Sequence, residues 1–450
     1  MRVLVTPYIA ANNIIAILSS RIPDKVRTVL INASVYALLC IGLLKYCNKA
    51  MRSVVHFSDI AYPVGTAALV LFVIAGIKNK KKFRKLRLGN TFWFGWILCF
   101  AMMFAMAFVN PVARNYFMWS VTGIFMFPLI FIAWSEKDRF RELCNIVSEA
   151  VLVMAYIFII LSLLLVPFFS GGTLGAVLPE YIGMAVNPNN NGMLTIAFYG
   201  PVFYLLLTDK KRKPIYYLVP MGFCISISVI SNCRTAELGI LLQTAGGLLY
   251  HYLSTVRPHK ERIEWKKLIA AILIVSAVSL ASGFVLSRFD NMDLEVNAED
   301  NMAAEAVSGD EVFEKLDDIS SGRLIITRYY IENSTFWGHG SPDGPVMEGY
   351  QASKWSFNNA VDVLYISGVL PFIGCVLWFL AVIVFCIKCI FGGVPRRPEY
   401  LFTIVTFAGY FVEFMLEVTI YPITTSLVLL AYIGMIPVAC REKEKRRAVR

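Results

Sequence analysis

The sequence predicts an all-α, polytopic integral membrane protein with about 12 transmembrane helices and a large extracytoplasmic loop between spans 9 and 10. Of its 450 residues, 57% are hydrophobic and only 16% are charged, whereas a soluble protein of this size needs far more polar surface. The apolar residues recur in runs of about 20, the length that crosses a hydrocarbon core of roughly 30 Å. Short basic runs separate these stretches, as expected for the loops of a multi-span protein.

The predicted spans have the approximate bounds 28–46, 57–78, 91–110, 114–134, 146–168, 191–208, 214–231, 233–253, 268–287, 361–388, 398–416 and 419–439. Before them, the apolar segment Val3 to Leu18 is interrupted by Pro7, Asn12 and Asn13. No small-residue cleavage site follows it, so we expect no cleavable signal peptide. This segment is expected either to lie on the membrane surface or to form an extra span.

The basic residues predict the orientation of the chain. They lie mainly in runs at 78–87, 137–141, 210–213, 257–267, 396–397 and 441–450. Two spans separate each run from the next, which places all of them, and both termini, in the cytoplasm. The net charge of +11 does not indicate nucleic acid as a partner, because it is spread over many loops and not gathered on one face.

This orientation divides the chain into N-terminal membrane helices at 1–287, an outer loop at 288–357, and C-terminal membrane helices with a basic tail at 358–450. The first half of the outer loop, Asp290 to Asp318, is strongly acidic and is expected to be solvated and mobile. Its second half, 320–357, carries tryptophans, tyrosines and glycines. That composition favours a folded cap on the outer membrane surface.

Neither a metal nor a cofactor is expected. Most of the 10 cysteines lie inside apolar runs, where cysteine behaves as a small core residue. Cys386 and Cys389 have CxxC spacing, but the pair stands alone and is a weak signal for metal or redox chemistry. The chain has no HExxH zinc motif and no GxxxxGK[ST] nucleotide-binding loop, which argues against a zinc site and against direct use of ATP.

Ionisable side chains near the outer ends of predicted spans are candidate functional groups, because a charge inside a bilayer is costly. The ionisable candidates are Arg114, Arg234, Glu237, Asp362, Glu413 and Glu417. The amide Asn358, close to Asp362, is a further candidate. Glu413 and Glu417 are spaced i, i+4 and therefore share a helix face. For any single residue, a structural ion pair between helices is the alternative, but their common position on the outer side favours a functional cavity.

Two further polar features lie on the outer side. The segment Asn187-Pro188-Asn189-Asn190-Asn191-Gly192 directly precedes the sixth span. One asparagine there is a good helix cap, but four asparagines exceed that need. In the outer loop, Arg328 and His339 are candidate substrate-binding residues.

Several of these pieces, in this order, resemble the O-antigen polymerase and ligase superfamily of bacterial surface-polysaccharide assembly. The matching segments are Asn187-Pro188-Asn189, Ser231-Asn232-Cys233-Arg234-Thr235, Ser321-Gly322-Arg323, Gly338-x-Gly340, and Asn358 followed by Gly368. Each motif is weak alone, but their order, spacing and common side are moderately specific. The resemblance covers about residues 90–440.

The resemblance implies a metal-independent glycosyltransferase of the bacterial cytoplasmic membrane whose donor is a glycan on a polyprenyl diphosphate. It implies that Arg234 and Arg323 bind the diphosphate, since guanidinium groups pair bidentately with phosphate oxygens. Asn358, Glu413 and Glu417 complete the expected catalytic set, and Asp362 is another candidate for the base. Asn187, Asn189, Arg114, Arg328, His339 and Asp362 are the expected substrate-binding residues. Membrane lipid, a flippase and a chain-length regulator are the implied partners.

One departure separates the two branches of that superfamily. Ligases usually carry His-Asn where this chain has Phe357-Asn358, so the sequence favours a polysaccharide repeat-unit polymerase over an O-antigen ligase. A different class, a flippase or transporter of lipid-linked sugars, also has about twelve spans. Such transporters tend to show internal repeats and helices broken near the midplane, and no convincing repeat relates the two halves of this chain.

Overall fold

A computed structural model describes residues 1–47, 55–110, 114–169, 188–259, 265–287, 323–340, 356, 358–417 and 422–443. The acidic segment Asp290–Asp318 lies outside the described residues. The helices are α1 (Arg2–Ser19), α2 (Asp24–Tyr46), α3 (Phe57–Gly76), α4 (Asn90–Val109), α5 (Arg114–Val121), α6 (Phe127–Ala133), α7 (Lys137–Phe169), α8 (Pro188–Thr208), α9 (Ile215–Ile230), α10 (Arg234–His251), α11 (Arg257–His259), α12 (Trp265–Ser287), α13 (Arg323–Glu332), α14 (Asn359–Ser367), α15 (Val369–Phe391), α16 (Tyr400–Leu416), α17 (Ser426–Gly434) and α18 (Ile436–Ala439).

Two short strands, β1 (Leu86–Leu88) and β2 (Cys440–Glu442), form the sheet that the described residues contain, and they pair antiparallel. A π-helical turn at Thr122–Met126 joins α5 to α6, and another at Tyr252–Val256 joins α10 to α11. The described residues otherwise form a bundle of helices, as the sequence predicts.

The described part of the chain contains 8 helices that are long and apolar enough to cross a membrane, and four shorter apolar helices of 10–17 residues. Large apolar side chains such as Phe108, Leu280 and Phe391 are exposed on the outside of the bundle. Helices satisfy their own backbone hydrogen bonds and can therefore face lipid on that side. The predicted class, an all-α membrane-embedded protein, is confirmed at this level.

The first helix meets the length and hydropathy criteria for a span, but it follows the basic segment 77–83 along its whole length. Ser19 Oγ donates to the Ile77 carbonyl (2.5 Å), Asn13 Nδ2 donates to the Lys81 carbonyl (3.1 Å), and Arg2 lies over the Phe83 ring. A segment this rich in lysine cannot cross hydrocarbon beside it. These contacts favour the surface alternative for the N-terminal segment, in which α1 lies along one end of the bundle.

The tenth predicted span, 361–388, is wrong as one continuous helix. The structure breaks it at Gly368, which has a φ of 91° and separates α14 from α15. A Cβ on Gly368 would collide with the backbone of the 336–338 segment, so only glycine allows that close approach. Asn358 and Asp362 consequently belong to a separate short helix and not to a span.

Helix α10 differs from the other predicted spans because it is neither among the 8 membrane-length apolar helices nor among the four shorter apolar helices of the described residues. It carries Glu237 and the buried Gln243, and it packs between α8 and α16. Because two helices cover part of its surface, α10 tolerates polar groups that a lipid-facing helix would not.

Most of the basic segments meet at one end of the bundle. Strand β1 of the 78–87 run pairs with β2 at the start of the C-terminal tail. Arg139 Nη2 donates to the Gly76 carbonyl (2.7 Å), and Arg396 Nη1 donates to the Leu253 carbonyl (2.8 Å). These contacts gather the predicted cytoplasmic loops together, and the opposite end of the bundle is the predicted outer end.

Candidate functional site

Helices α8, α10 and α16 form a close-packed seam that leads to the outer end. A Cβ on Gly409 of α16 would meet Ile196 of α8 and Gln243 of α10. One turn further inward, Val405 faces Gly200 and Gly247 in the same way. Residue numbers rise along α16 as they fall along α8 and α10, so the C-terminus of α16 meets the N-termini of the other two helices.

Helical periodicity extends this register to the candidate acids. Glu413 lies one turn beyond Gly409 on the same face, and Glu417 follows one turn later at the C-cap. Continued at the same spacing, this register would bring Gly192 of α8 and Gly239 of α10 to the level of Glu413. Both glutamates are almost completely buried, at 0% and 4% relative exposure.

The asparagine-rich start of α8 contacts the turn between α9 and α10. Asn191 Nδ2 donates to Ser231 Oγ (3.2 Å), and Cys233 Sγ lies 3.8 Å from Asn189 Oδ1. Asn232 adopts a left-handed conformation with a φ of 49°. The two motifs, separated by about 40 residues, are thus in direct contact.

This turn positions Arg234 as the first residue of α10, where its side chain is exposed. Glu237, one turn later, is exposed as well. Arg234 stands at a positively polarised helix N-terminus, beside the end of α16 that carries Glu417. The Arg234 guanidinium and the N-terminus of α10 together favour the binding of an anionic group at this place.

Asn358 links the short helix α14 to the end of α16. Its Oδ1 accepts hydrogen bonds from the N–H groups of Ala360 (3.1 Å) and Val361 (3.2 Å), which makes it the N-cap of α14. Its Nδ2 donates to the carbonyl of Met415 (3.2 Å). Asn358 therefore fixes α14 to the segment between Glu413 and Glu417.

Asp362 is fully buried one turn into α14. Its Oδ1 accepts a hydrogen bond from the N–H of Ser356 (2.9 Å), and its Oδ2 has no hydrogen-bond partner among the described residues. Helix α14 is not one of the membrane-length helices. Burial raises the pKa of Asp362 to about 7, although its hydrogen bonds with Ser356 act in the opposite direction and lower the pKa. The carboxyl group holds the 356–358 turn in place.

Helix α13, which belongs to the predicted outer loop, packs onto α14. Thr327 Oγ1 donates to the carbonyl of Ser356 (2.7 Å), and the Tyr330 ring packs edge-on against Tyr365. Arg328 is exposed and forms an ion pair with Glu332 (2.7 Å). Arg323 begins this helix one turn before Thr327.

The contacts of His339 are with other residues of the protein and hold a turn in place. Its ring stacks on Tyr365 at a centroid distance of 4.4 Å, and its Nε2 lies 2.7 Å from the carbonyl of Asn333. Its backbone N–H donates to the carbonyl of Tyr365 (2.8 Å). These contacts hold the Gly338–Gly340 turn against the break between α14 and α15.

Three polar residues that the sequence reasoning did not select lie near the two buried glutamates. Lys45 Nζ donates to Thr425 Oγ1 (3.0 Å) and lies 5.0 Å from the ring of Tyr46. The Tyr46 hydroxyl is within electrostatic range of Glu413 and Glu417. The signal for Lys45 was present in the sequence, because it is a cation at the outer end of an apolar run.

Three predicted site residues, or their side chains, lie outside the described part of the chain. Asn187 lies outside the described residues. Arg114 and Arg323 each begin a helix, but their side chains are not described. The described site therefore consists of Asn189, Arg234, Asn358, Asp362, Glu413 and Glu417, with Lys45, Tyr46 and Thr425 beside the acids.

The described side chains of the candidate site are hydrogen-bonding and ionic groups. Among them, no group of three or more His, Cys, Asp or Glu residues is placed to hold a metal ion. The site combines an exposed arginine at a helix start, an amide-rich turn and two buried carboxyl groups. Such a set can bind an anion and accept a proton from a hydroxyl group.

Fold and composition define the protein as a helical membrane protein with a polar site at one end of its bundle. No protein-family profile, no curated protein and no solved structure matches the chain.

Proposed function

We propose that this protein is a polysaccharide repeat-unit polymerase, which transfers a glycan from a polyprenyl-diphosphate carrier to a second carrier-linked oligosaccharide. The observation that carries the proposal is the convergence of the resemblance motifs. The Asn-Pro-Asn segment contacts the Ser-Asn-Cys-Arg-Thr turn through Asn191 and Ser231. Asn358 contacts the end of α16 through Met415.

The spatial arrangement supports a reaction at the edge of the bilayer. Helices α8, α10 and α16 pack against one another, so both motif contacts belong to one end of one bundle. The polyprenyl tail of the donor stays in the membrane, and only its diphosphate and sugars need to reach this end. A site at the ends of spans, with α14 attached to the end of α16 through Asn358, meets that requirement.

In the proposed reaction, the bond between the anomeric carbon and the diphosphate oxygen breaks as a bond forms from that carbon to an acceptor hydroxyl. Arg234, together with Arg323, binds the leaving diphosphate, whose negative charge grows as it departs. The hydroxyl proton passes to a carboxylate, and Glu417 is our choice because it stands at the outermost turn of α16. Asn189, Arg114, Arg328 and Asn187 bind the sugars and phosphates around this centre.

The proposal includes a topology of about twelve crossings, with α1 along the cytoplasmic face and residues 288–357 outside. It places the protein in a bacterial cytoplasmic membrane, with a flippase supplying the donor and a chain-length regulator as a further partner. The linked product is capsule, O-antigen or exopolysaccharide.

Arginine substitutions test the proposal in cells that depend on this protein for their polymer. Arg234→Ala is expected to abolish polymer while single repeat units accumulate on the lipid carrier. Arg234→Lys is expected to restore only part of the polymer, because lysine lacks the planar fork that pairs with two phosphate oxygens. Polymer is resolved by gel electrophoresis, and carrier-linked units by mass spectrometry of lipid extracts.

Arg212→Ala is the matched control, since Arg212 is an exposed arginine that pairs with Glu149 at the other end of the bundle. It is expected to leave polymer unchanged. Normal polymer in Arg234→Ala would contradict the proposal. Polymer of normal length that accumulates on the carrier in Arg234→Ala would indicate a ligase, and carrier-linked single units confined to the cytoplasmic leaflet in that variant would indicate a flippase.

A further inference from the structure

A cavity of about 380 Å³ lies at the predicted cytoplasmic end, between α4, α15 and the two short strands. It is on the opposite end of the bundle from the proposed catalytic site. Its walls are of two kinds, an apolar slope formed by the helices and a basic rim formed at the strands.

The apolar slope follows from a close helix crossing. A Cβ on Gly95 of α4 would lie 2.5 Å from the backbone nitrogen of Trp378, and one on Gly374 of α15 would collide with the backbone of Cys99. The two helices are in backbone contact there and diverge toward the cytoplasmic end. The wedge that opens is lined by Leu377, Leu380, Ala381 and Val384 of α15, and Leu380 is 48% exposed.

The rim carries Arg87, Lys388 and Arg441, and no carboxylate lines the cavity among the described residues. None of the three cations has a carboxylate within 4.0 Å in the part of the chain that the structure describes. One guanidinium nitrogen, Arg441 Nη1, is buried without a hydrogen-bond partner in the same part. The rim is therefore a concentration of positive charge that the described residues do not neutralise.

The strand register makes this concentration sharper. Arg87 and Arg441 are directly opposite each other in the β1–β2 ladder, and like charges on directly opposed residues destabilise a strand pair. Both arginines line the cavity. An anion between them would convert this repulsion into two favourable ion pairs.

The start of α4 adds backbone donors to the same rim. Asn90, Thr91 and Phe92 line the cavity and form the first turn of α4, and no side chain caps that turn. The first N–H groups of a helix lack partners within the helix, and they carry the positive end of its dipole. Phosphate groups commonly bind at such helix starts.

We propose that this cavity binds an anionic phospholipid of the cytoplasmic leaflet. The phosphate lies between Arg87, Arg441 and the first turn of α4, Lys388 contacts the remaining headgroup oxygens, and an acyl chain occupies the wedge beside Leu380. A soluble anion would use the rim but leave the apolar slope uncovered. A zwitterionic lipid would bring a fourth positive charge to a rim that already has three.

Native mass spectrometry of the full-length protein in detergent tests this site, with phosphatidylglycerol, phosphatidylcholine and inorganic phosphate as separate probes. Phosphatidylglycerol is expected to bind preferentially. The double variant Arg87→Gln/Arg441→Gln is expected to weaken its binding at least about tenfold, since it removes two of the three cations at the rim, the two that would pair with the phosphate. Ala381→Trp fills the wedge without changing any charge and is expected to weaken binding as well.

The matched control is Lys210→Gln/Lys211→Gln, which removes two exposed charges from another loop of the same end. It is expected to bind phosphatidylglycerol like the wild type. Equal binding in the arginine and lysine double variants would overturn the proposal, and so would equal binding of phosphatidylglycerol and phosphatidylcholine. Displacement of the lipid by an equal concentration of inorganic phosphate would show a soluble-anion site and would also overturn it.

Discussion

Substitutions of Asn358 separate its two structural roles, and the contacts of its side chain define what each substitution removes. Its Oδ1 caps α14 by accepting from Ala360 and Val361, and its Nδ2 bridges to the Met415 carbonyl. Loss of an N-cap costs about 1 kcal/mol, and loss of a neutral hydrogen bond costs about 1 kcal/mol. Asn358→Ala removes both, so we expect a destabilisation of about 2 kcal/mol.

Asn358→Asp keeps the cap, because aspartate is an equally good N-cap residue. It loses the bridge, since a carboxylate cannot donate to the Met415 carbonyl. We expect the thermal midpoint of the aspartate variant to lie between those of the wild type and the alanine variant. The rate of glycan transfer should fall in both variants, by about fivefold or more for a positioning loss of about 1 kcal/mol.

The assay combines thermal unfolding in detergent, followed by tryptophan fluorescence, with polymer analysis in cells. Asn110→Ala is the control, because the Asn110 side chain forms a comparable amide contact to the Gly338 carbonyl (3.3 Å), and only the backbone N–H of this residue takes part in the C-cap of α4. Its effect on stability should be about 1 kcal/mol, the cost of one neutral hydrogen bond and about half of the effect expected for Asn358→Ala. Wild-type transfer by Asn358→Asp would refute the role of the bridge, and equal midpoints for the alanine and aspartate variants would refute the role of the cap.

Two further predictions concern stability. The Asp362 pKa is raised from 3.8 to about 7, so its contribution to stability is full below pH 3.8 and is lost as the pH rises through about 7. Asp362→Asn can still accept from Ser356 without becoming charged, so its thermal midpoint should exceed that of the wild type at pH 8 and approach it at pH 4; a constant difference would contradict the burial argument. Gly374→Ala should lower the thermal midpoint strongly, because the new Cβ meets the backbone of Cys99. Gly283→Ala is the control and should have little effect, because its Cβ would lie 3.4 Å from its nearest neighbour. Similar midpoints for the two variants would contradict the close crossing of α4 and α15.

The sequence predicted the bundle well because hydrocarbon imposes a simple rule on composition. Runs such as Asn90–Val109 are apolar at nearly every position and appear as helices with almost the predicted bounds. The failures lie where tertiary contact overrides composition. Gly368 breaks an apolar run because the 336–338 segment occupies the space of its absent side chain, and no local pattern encodes that neighbour.

The candidate site was predictable in part. The motifs around Asn189 and Arg234 were selected from residue type and position, and the structure brings their segments together. Lys45 and Thr425 were not selected, although they hydrogen bond to each other near the buried acids. Residues 45 and 425 come from helices distant in the sequence, so only the packing of the bundle reveals that they are neighbours.

Glycan transfer by the purified protein tests the central claim most directly. The full-length protein is reconstituted in liposomes with a polyprenyl-diphosphate-linked oligosaccharide isolated from cells that lack it. We predict carrier-linked glycans of two or more repeat units, release of one polyprenyl diphosphate per bond formed, and no product with Arg234→Ala. Movement of the intact carrier between leaflets without any longer glycan would contradict the claim and would identify the protein as a transporter.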